Sequence, residues 1–243
     1  MKTEKILGVE FTTLDLKGCI DKIDEVVKYN EKPFHVITAN PEIVMQINRE
    51  EIPKSTSSRV GMITPDGIGI VYGSKILGGQ IRERITGVEL MVALLEHCQK
   101  EGHRIFFLGA NEETMSAFKL VVKDKYPGLQ VAGYRNGYFD IYNDGEVVEM
   151  VKTSQADILV MGMGSPRSHI WFDSRREDLN VKVAMDVGGG FDALTGKVKR
   201  APKWIQAVHM EWFYRRLQNP SRKDRQKDLY RFAFDVVKER FKK

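Results

Sequence analysis

Six short apolar stretches recur along the chain and are separated by segments with a helical period. The stretches lie at residues 34–38, 59–63, 104–108, 129–133, 157–161 and 181–187, and most of them lack strict alternation of apolar and polar positions. Residues 86–101 and 114–126 instead repeat apolar side chains three and four positions apart, as one face of a helix does. Short buried strands that alternate with helices predict a mainly parallel, Rossmann-like α/β sheet with helices on both faces.

The turns that follow the predicted strands are rich in glycine and small polar residues. Asn40 precedes Pro41 and is predicted to cap a helix, and Gly162-Met163-Gly164 follows another strand. Ligands of parallel sheets bind beyond the carboxyl ends of the strands. We therefore expect the ligand site at this edge, where glycine lets the backbone approach a phosphate or a sugar.

Asp66 lies in the turn Pro65-Asp66-Gly67, directly after the second predicted strand. Pro-Asp-Gly is a common turn tripeptide, so a purely conformational role is one interpretation. The other is a general base at the ligand edge, with Thr38 and Asn40 arriving beside it from the neighbouring strand. The residues alone leave both interpretations open.

The sequence contains no strong motif for a metal or a nucleotide cofactor. The Gly162-Met163-Gly164 turn has Arg167 where a dinucleotide fingerprint needs a third small residue, which makes an NAD(P)-dependent oxidoreductase a weaker alternative. No Walker A or Asp-x-Asp motif occurs, and the five histidines lack ligand spacing. We therefore predict a reaction without metal or cofactor, in which arginines and backbone amides meet the leaving-group charge.

The charge of the 243-residue chain is unevenly divided. Residues 197–243 carry 15 Lys and Arg against 5 Asp and Glu, whereas residues 1–196 carry 23 against 28, so a body at −5 precedes a tail at +10. This division predicts an α/β body at 1–196, a basic appendage at 197–243, and a polyanionic partner. No apolar stretch is long enough for a membrane span, and two cysteines suit a reducing cytosol.

The basic tail also has an aromatic, amphipathic pattern. Tyr230, Phe234, Val237 and Phe241 are spaced four, three and four residues apart. The same face is widened by Leu229, Phe232 and Val236. Such a helix can lie in an anionic membrane interface, or its apolar face can dock on its own core or on another subunit. Nucleic acid is a further alternative for the charge, but no helix-turn-helix or RNP-like motif accompanies it, so we predict no nucleic-acid partner.

The ordered set of motifs resembles the WecG/TagA/CpsF glycosyltransferase family over nearly the whole chain. The motifs are Thr38-Ala39-Asn40-Pro41-Glu42, Pro65-Asp66-Gly67, Arg84-Ile85-Thr86-Gly87, Phe107-Leu108-Gly109, Gly137-Tyr138-Phe139, Gly162-Met163-Gly164-Ser165-Pro166-Arg167, residues 187–204 and Glu211-Trp212-Phe213-Tyr214-Arg215. Each motif alone is weak, and their order is what makes the resemblance specific.

The resemblance implies an inverting, metal-independent transfer of N-acetylmannosamine from UDP to the C4 hydroxyl of GlcNAc-diphospho-undecaprenol, a step of wall teichoic acid synthesis. A related branch transfers N-acetylmannosaminuronic acid instead. Asp66 would be the base, and the substrate-binding residues would be Thr38, Asn40, Arg84, Tyr138, Gly164, Asp192, Arg215, Arg222 and Arg225. The tail would complete the site and hold the enzyme peripherally on the inner face of the cell membrane. In solution a dimer or trimer would cover the tail's apolar face.

One departure from the family pattern concerns specificity. After Ser165-Pro166-Arg167 the family usually has Gln-Glu, whereas this chain has Ser168-His169. If the glutamine contacts sugar or acceptor, that contact is missing here or is replaced by His169.

Overall fold

The computed structural model describes residues 1–29, 32–53, 56, 59–197 and 223–242. The strands are β1 (Thr3–Ile6), β2 (Val9–Thr12), β3 (Phe34–Ala39), β4 (Met62–Pro65), β5 (Arg104–Gly109), β6 (Gln130–Arg135), β7 (Ile158–Gly162) and β8 (Val183–Asp186). The helices are α1 (Leu16–Tyr29), α2 (Pro41–Asn48), α3 (Ile68–Leu77), α4 (Gly87–Glu101), α5 (Glu112–Lys125), α6 (Gly145–Thr153), α7 (Arg167–Arg175), α8 (Gly190–Leu194) and α9 (Lys223–Lys242).

Six strands form one parallel sheet in the order β4-β3-β8-β7-β5-β6, which confirms the predicted fold class. A separate antiparallel hairpin, β1–β2, precedes it and was not predicted. Its two-residue turn, Leu7-Gly8, has positive φ at both positions, which suits the right-handed twist of the strands. Each hairpin strand has four residues, too few for a secure period-two pattern.

The two faces of the sheet bury different helices because successive strand residues point to opposite sides. Val36, Val160 and Met185 pack on the first face, which is covered by α1, α4, α5 and α8. Ile37 and Met161 point to the second face, which is covered by α2, α3, α6, α7 and α9. Both faces are therefore closed by apolar side chains, as the near-continuous apolar strands predict.

The observed β4 begins three residues later than the predicted stretch 59–63. Pairing starts where the backbone N–H of Gly61 donates to the carbonyl of His35 (3.0 Å), and a Cβ at Gly61 would lie 2.3 Å from the Phe34 ring. Arg59 instead directs its guanidinium to the carboxylate of Asp173 (2.6 Å). A glycine that passes under an aromatic ring thus sets the start of the strand.

Helix α9 divides its apolar residues between two environments. Phe232 and Val236 are buried in the core beside α2 and α3, so docking on the chain's own core is confirmed for this half of the face. Arg49 forms a two-pronged ion pair with Asp228 at 2.5 and 3.0 Å, and it fastens the helix to the end of α2. The other half of the face remains exposed and consists of Tyr230, Phe234, Val237 and Phe241. The division of the chain at residue 197 stays a prediction.

Candidate active site

A cleft of about 500 Å³ lies at the carboxyl edge of the sheet, where the sequence predicted a ligand site. It opens at the centre of the sheet because the helices that follow the neighbouring strands β3 and β8 leave toward opposite faces. Such a reversal separates the two connections and leaves a crevice between them. Residues that follow all six parallel strands contribute to the walls.

Asp66 lies half-buried in this cleft, one residue beyond β4. Its backbone N–H donates to the carbonyl of Ala39 (3.0 Å), and Gly67 takes a φ of +140°, where a side chain would be strained. The carboxylate Oδ2 accepts the backbone N–H of Gly87 at the start of α4 (3.1 Å). The Pro-Asp-Gly segment is thus a tight turn, and it also holds a carboxylate in the cleft.

Thr38 and Asn40 line the cleft beside Asp66, as expected from their place at the end of β3. The Asn40 side chain accepts the backbone N–H of Ile43 (3.0 Å), which confirms the predicted N-cap of α2. Thr38 Oγ1 donates to the backbone carbonyl of Asp186 (3.2 Å) and so joins β3 to the end of β8. Both side chains therefore hold loops of the cleft in place.

Three further predicted residues, Tyr138, Gly164 and Asp192, also line the cleft. The Tyr138 ring is 73% exposed at the rim. Gly164 has a φ of +84°, and Asp192 accepts a hydrogen bond from the hydroxyl of Thr114 (3.0 Å). The structure thus gathers six of the predicted residues in one cavity, although they lie at or after the ends of five different strands.

The predicted arginines are placed differently. Arg84 does not line the cleft, and its guanidinium lies 4.0 Å from the carboxylate of Glu89. Arg215 and Arg222 fall outside the described residues, and Arg225 belongs to the first turn of α9, where the helix but not the side chain is described. Their assignment to substrate stays a prediction.

The hypothesis that His169 replaces a family contact in the cleft is wrong. His169 is completely buried in the core, and its ring centre lies 5.7 Å from that of His35. Neither imidazole has a hydrogen-bond partner within the described part of the chain, and burial lowers the pKa of both rings. Ser168 and His169 are the second and third residues of α7, and both point into the protein. The sequence difference from the family pattern did not show this orientation.

The described walls of the cleft are acidic, and sequence analysis missed part of this charge. Besides Asp66 and Asp192, Glu42 and Asp186 line the cavity, against a single cation among the described lining residues, Arg167. The Arg167 guanidinium donates to the carbonyl of Phe139 and lies over its ring. A signal for Asp186 was present in the sequence, since it places a carboxylate within the predicted strand 181–187.

Comparison of the whole sequence with known proteins identifies its family. The profile described as "Glycosyl transferase WecG/TagA/CpsF family" matches residues 4–243. The chain belongs to this family. The resemblance is therefore confirmed, and the transferase hypothesis prevails over the oxidoreductase alternative.

Curated relatives of this glycosyltransferase are similar over almost their full length. A protein of Bacillus spizizenii named N-acetylglucosaminyldiphosphoundecaprenol N-acetyl-beta-D-mannosaminyltransferase is 31% identical over 238 residues, covering 98% of this chain and 92% of the relative. A protein of the same name from Staphylococcus aureus strain MW2 is 30% identical over 234 residues, covering 96% and 91%. No helix within the described segments of the transferase is both long and apolar enough to cross a bilayer.

Among the residues that the structure describes, one group of side chains has the spacing of metal ligands, and it lies away from the cleft of the transferase. Asp24 Oδ1 is 2.9 Å from His97 Nε2 and 2.8 Å from His103 Nε2, at the amino edge of the sheet. Lys28 Nζ lies 2.8 Å from the other carboxylate oxygen. Hydrogen bonds and an ammonium group thus already satisfy this carboxylate. The expectation that the reaction uses no metal or cofactor stays a prediction.

Proposed function

We propose that this glycosyltransferase moves N-acetylmannosamine from UDP to the C4 hydroxyl of GlcNAc-diphospho-undecaprenol. The names of the curated relatives support the acceptor and the transferred sugar. The observation that carries the proposal is the position of Asp66, a half-buried carboxylate that the Gly87 N–H holds in the cleft of the sheet. A carboxylate held in this way can remove a proton from a bound hydroxyl.

The chemistry is a single displacement. Asp66 accepts the proton of the acceptor C4 hydroxyl as this oxygen attacks the anomeric carbon of the donor. The bond between that carbon and the UDP oxygen breaks, and its electron pair leaves with UDP. Attack and departure occur on opposite faces of the sugar, so the configuration at the anomeric carbon is inverted.

The leaving diphosphate needs positive charge that the described walls of the cleft do not provide. Four carboxylates face one guanidinium there, and Arg167 is engaged by Phe139. The basic segment 197–243 is the part of the chain with a surplus of cations, at 15 Lys and Arg against 5 Asp and Glu. We assign Arg215, Arg222 and Arg225 to the diphosphate on this ground, with no metal or cofactor in the reaction.

The acidic walls also bear on the identity of the sugar. N-acetylmannosaminuronic acid carries a carboxylate at C6, and like charges repel in a partly desolvated cleft. Glu42, Asp66, Asp186 and Asp192 therefore favour the uncharged N-acetylmannosamine. Parallel assays with the two UDP-sugars would decide, and a preference for the uronic acid donor would contradict this assignment.

We further propose that the exposed half of α9 lies in the anionic surface of the membrane, on the inner face. Tyr230, Phe234 and Phe241 are 64%, 67% and 85% exposed, and Tyr72 of the neighbouring α3 is also exposed. Aromatic side chains next to a surplus of lysine and arginine suit an interface with anionic lipid. The acceptor named for the relatives is itself lipid-linked.

The first experiment tests the base. Turnover of UDP-N-acetylmannosamine with a soluble GlcNAc-diphospholipid analogue is compared for the unaltered chain, Asp66→Asn and the control Asp178→Asn on an exposed loop. We expect Asp66→Asn to lower kcat by about 100-fold or more, because the amide still accepts the Gly87 N–H but cannot take a proton. UDP affinity should change less than twofold. Unchanged turnover would exclude Asp66 as the base.

The second experiment tests the membrane surface by flotation with vesicles of phosphatidylglycerol and phosphatidylcholine. Phe234→Ser with Phe241→Ser should reduce binding, whereas Leu120→Ser, an equally exposed apolar residue on α5, should not. Binding that ignores both the anionic lipid and the phenylalanines would contradict the proposal. If the same double substitution instead converts a dimer or trimer to a monomer in sedimentation, the face is an oligomer contact.

A further inference from the structure

Asp186 occupies a position in the sheet that otherwise holds apolar side chains. It is the last residue of β8 and is only 3% exposed. Its neighbours in register are Ile37 on β3 and Met161 on β7, which point to the same face. A carboxylate in such a row loses its hydration, so its presence is costly unless other groups compensate it.

The described residues compensate only one of its two oxygens. Oδ1 accepts the backbone N–H of Gly188 (2.9 Å), whereas Oδ2 is buried and has no hydrogen-bond partner among them. Asp186 lies close enough to His169 for its charge to act on the pKa of that imidazole, but neither ring nitrogen of His169 bonds to any group among the described residues. Buried polar atoms are nearly always paired, so an orphaned acceptor indicates a missing donor.

The missing donor can come from the cleft, because Asp186 lines it. The backbone carbonyl of Asp186 accepts the Thr38 hydroxyl (3.2 Å), and a Cβ at Gly87 would lie 2.9 Å from that hydroxyl. Gly87 in turn donates to Asp66 (3.1 Å). These contacts connect Asp186 to Gly87, which holds Asp66, through Thr38 on β3, the strand that lies between β8 and β4.

The charge of the residue limits what it can bind. A carboxylate accepts hydrogen bonds, and a sugar offers hydroxyl donors and, when N-acetylated, an amide N–H. A diphosphate offers only negative charge and would be repelled. The ligand group at this position is therefore a hydroxyl or amide donor and not the diphosphate.

We infer that Asp186 is a further substrate-binding residue, whose Oδ2 accepts a hydrogen bond from a hydroxyl or the acetamido N–H of an N-acetylhexosamine. The inference rests on the proposed function, and it adds a sugar contact that is distinct from the base. It also accounts for a carboxylate that neither the fold nor the proton transfer requires.

Asp186→Asn in the full chain tests this inference, because asparagine keeps an acceptor for Gly188 but replaces the second oxygen by a donor. We expect kcat/KM for UDP-N-acetylmannosamine to fall about tenfold or more, while UDP affinity changes less than twofold. The melting temperature should stay the same or rise, since a buried charge with an unpaired oxygen is removed. The control is Asp144→Asn, which removes an equally buried but fully paired carboxylate and should lower the melting temperature.

An unchanged kcat/KM in Asp186→Asn would overturn the inference. A melting temperature lowered by several degrees would overturn it as well, because Oδ2 would then have a partner within the protein. If the unaltered chain transfers no sugar from UDP, the proposed function fails separately. The melting temperature still decides in that case: an equal or higher value supports a carboxylate kept for a ligand, and a fall of several degrees excludes it.

Discussion

Two aspartates of this molecule are equally buried, at 3% exposure each, but their surroundings differ. Asp144, between α6 and α7, accepts the indole N–H of Trp171 (2.5 Å) and two guanidinium N–H groups of Arg175 (3.0 and 2.7 Å). Asp186, which lines the cleft, has among the described residues one backbone donor and an oxygen without a partner. Both lie on the same face of the sheet. Because they are equally buried, burial alone does not distinguish their roles.

The difference separates a carboxylate that stabilises the fold from one that the fold tolerates. Burial alone would raise the pKa of Asp144, but the hydrogen bonds from Arg175 and Trp171 outweigh this effect and lower its pKa. Donors that favour the ionised form stabilise the folded state at neutral pH. Pairing, more than burial, therefore shows which acidic residues serve stability and which are available to substrate.

Among the substitutions that test this comparison, Asp144→Asn should have the largest effect on the free energy of unfolding. The substitution leaves Arg175 without its counter-charge and turns an acceptor toward the Trp171 N–H into a donor. The free energy of unfolding should fall by about 3 kcal/mol, as when one partner of a buried pair is removed. Urea unfolding measures it, and kcat/KM of the folded protein should change less than threefold. A loss below about 1 kcal/mol would show that hydrogen-bond pairing does not identify the carboxylates that stabilise this fold.

A smaller effect is expected at the amino edge of the sheet, where Asp24 is paired but less buried. Partial burial would raise the pKa of Asp24, but hydrogen bonds from Lys28, His97 and His103 hold it well below its usual range. Asp24→Asn should cost about 2 kcal/mol at pH 7, since bonds to a charged acceptor are lost.

The pH dependence of this variant follows from the sign of the shift. A carboxyl with a lowered folded-state pKa stabilises the protein above its unfolded pKa of about 3.9, and this stabilisation is lost as the pH falls below that value. The difference between the unaltered chain and Asp24→Asn should therefore be smaller at pH 3.5 than at pH 5. Unfolding curves at these two pH values measure it. A difference that grows from pH 5 to pH 3.5 would contradict the assignment.

The smallest effect is expected for Thr38→Val, which keeps the shape but removes the hydroxyl bonded to the carbonyl of Asp186. We expect kcat/KM to fall about tenfold, equivalent to about 1.4 kcal/mol, because the end of β8 is no longer fixed beside Asp66. Thr153→Val on exposed α6 removes a comparable hydroxyl bond and is the matched control. Equal effects of the two substitutions on kcat/KM would contradict the link between Asp66 and Asp186.

Much of the fold was predictable because it depends on local pattern. The apolar stretches at 104–108 and 157–161 became β5 and β7, and Asn40 became the cap of α2. The two short strands of the hairpin gave no comparable signal. The start of β4 could not be predicted either, because it depends on how closely Gly61 approaches Phe34, two residues far apart in sequence.

The site was predictable where glycine turns and the family motifs coincide, as at Asp66 and Thr38. Asp186 was missed because the meaning of a carboxylate at the end of a strand depends on its neighbours in register. The group of Asp24, His97 and His103 was missed for a similar reason, since α1 and α4 meet only in the folded chain. A single sequence does not show which distant side chains meet in the folded protein.

The docking of α9 has a consequence for how the protein is made. Phe232 and Val236 complete the core beside α2 and α3, and Arg49 meets Asp228 across 179 residues of sequence. At a synthesis rate of about 5–20 residues per second, α9 is completed roughly ten seconds or more after α2 and α3. Until α9 has been made, the face of α3 at Gly73, which Phe232 and Val236 cover in the folded protein, has no such cover.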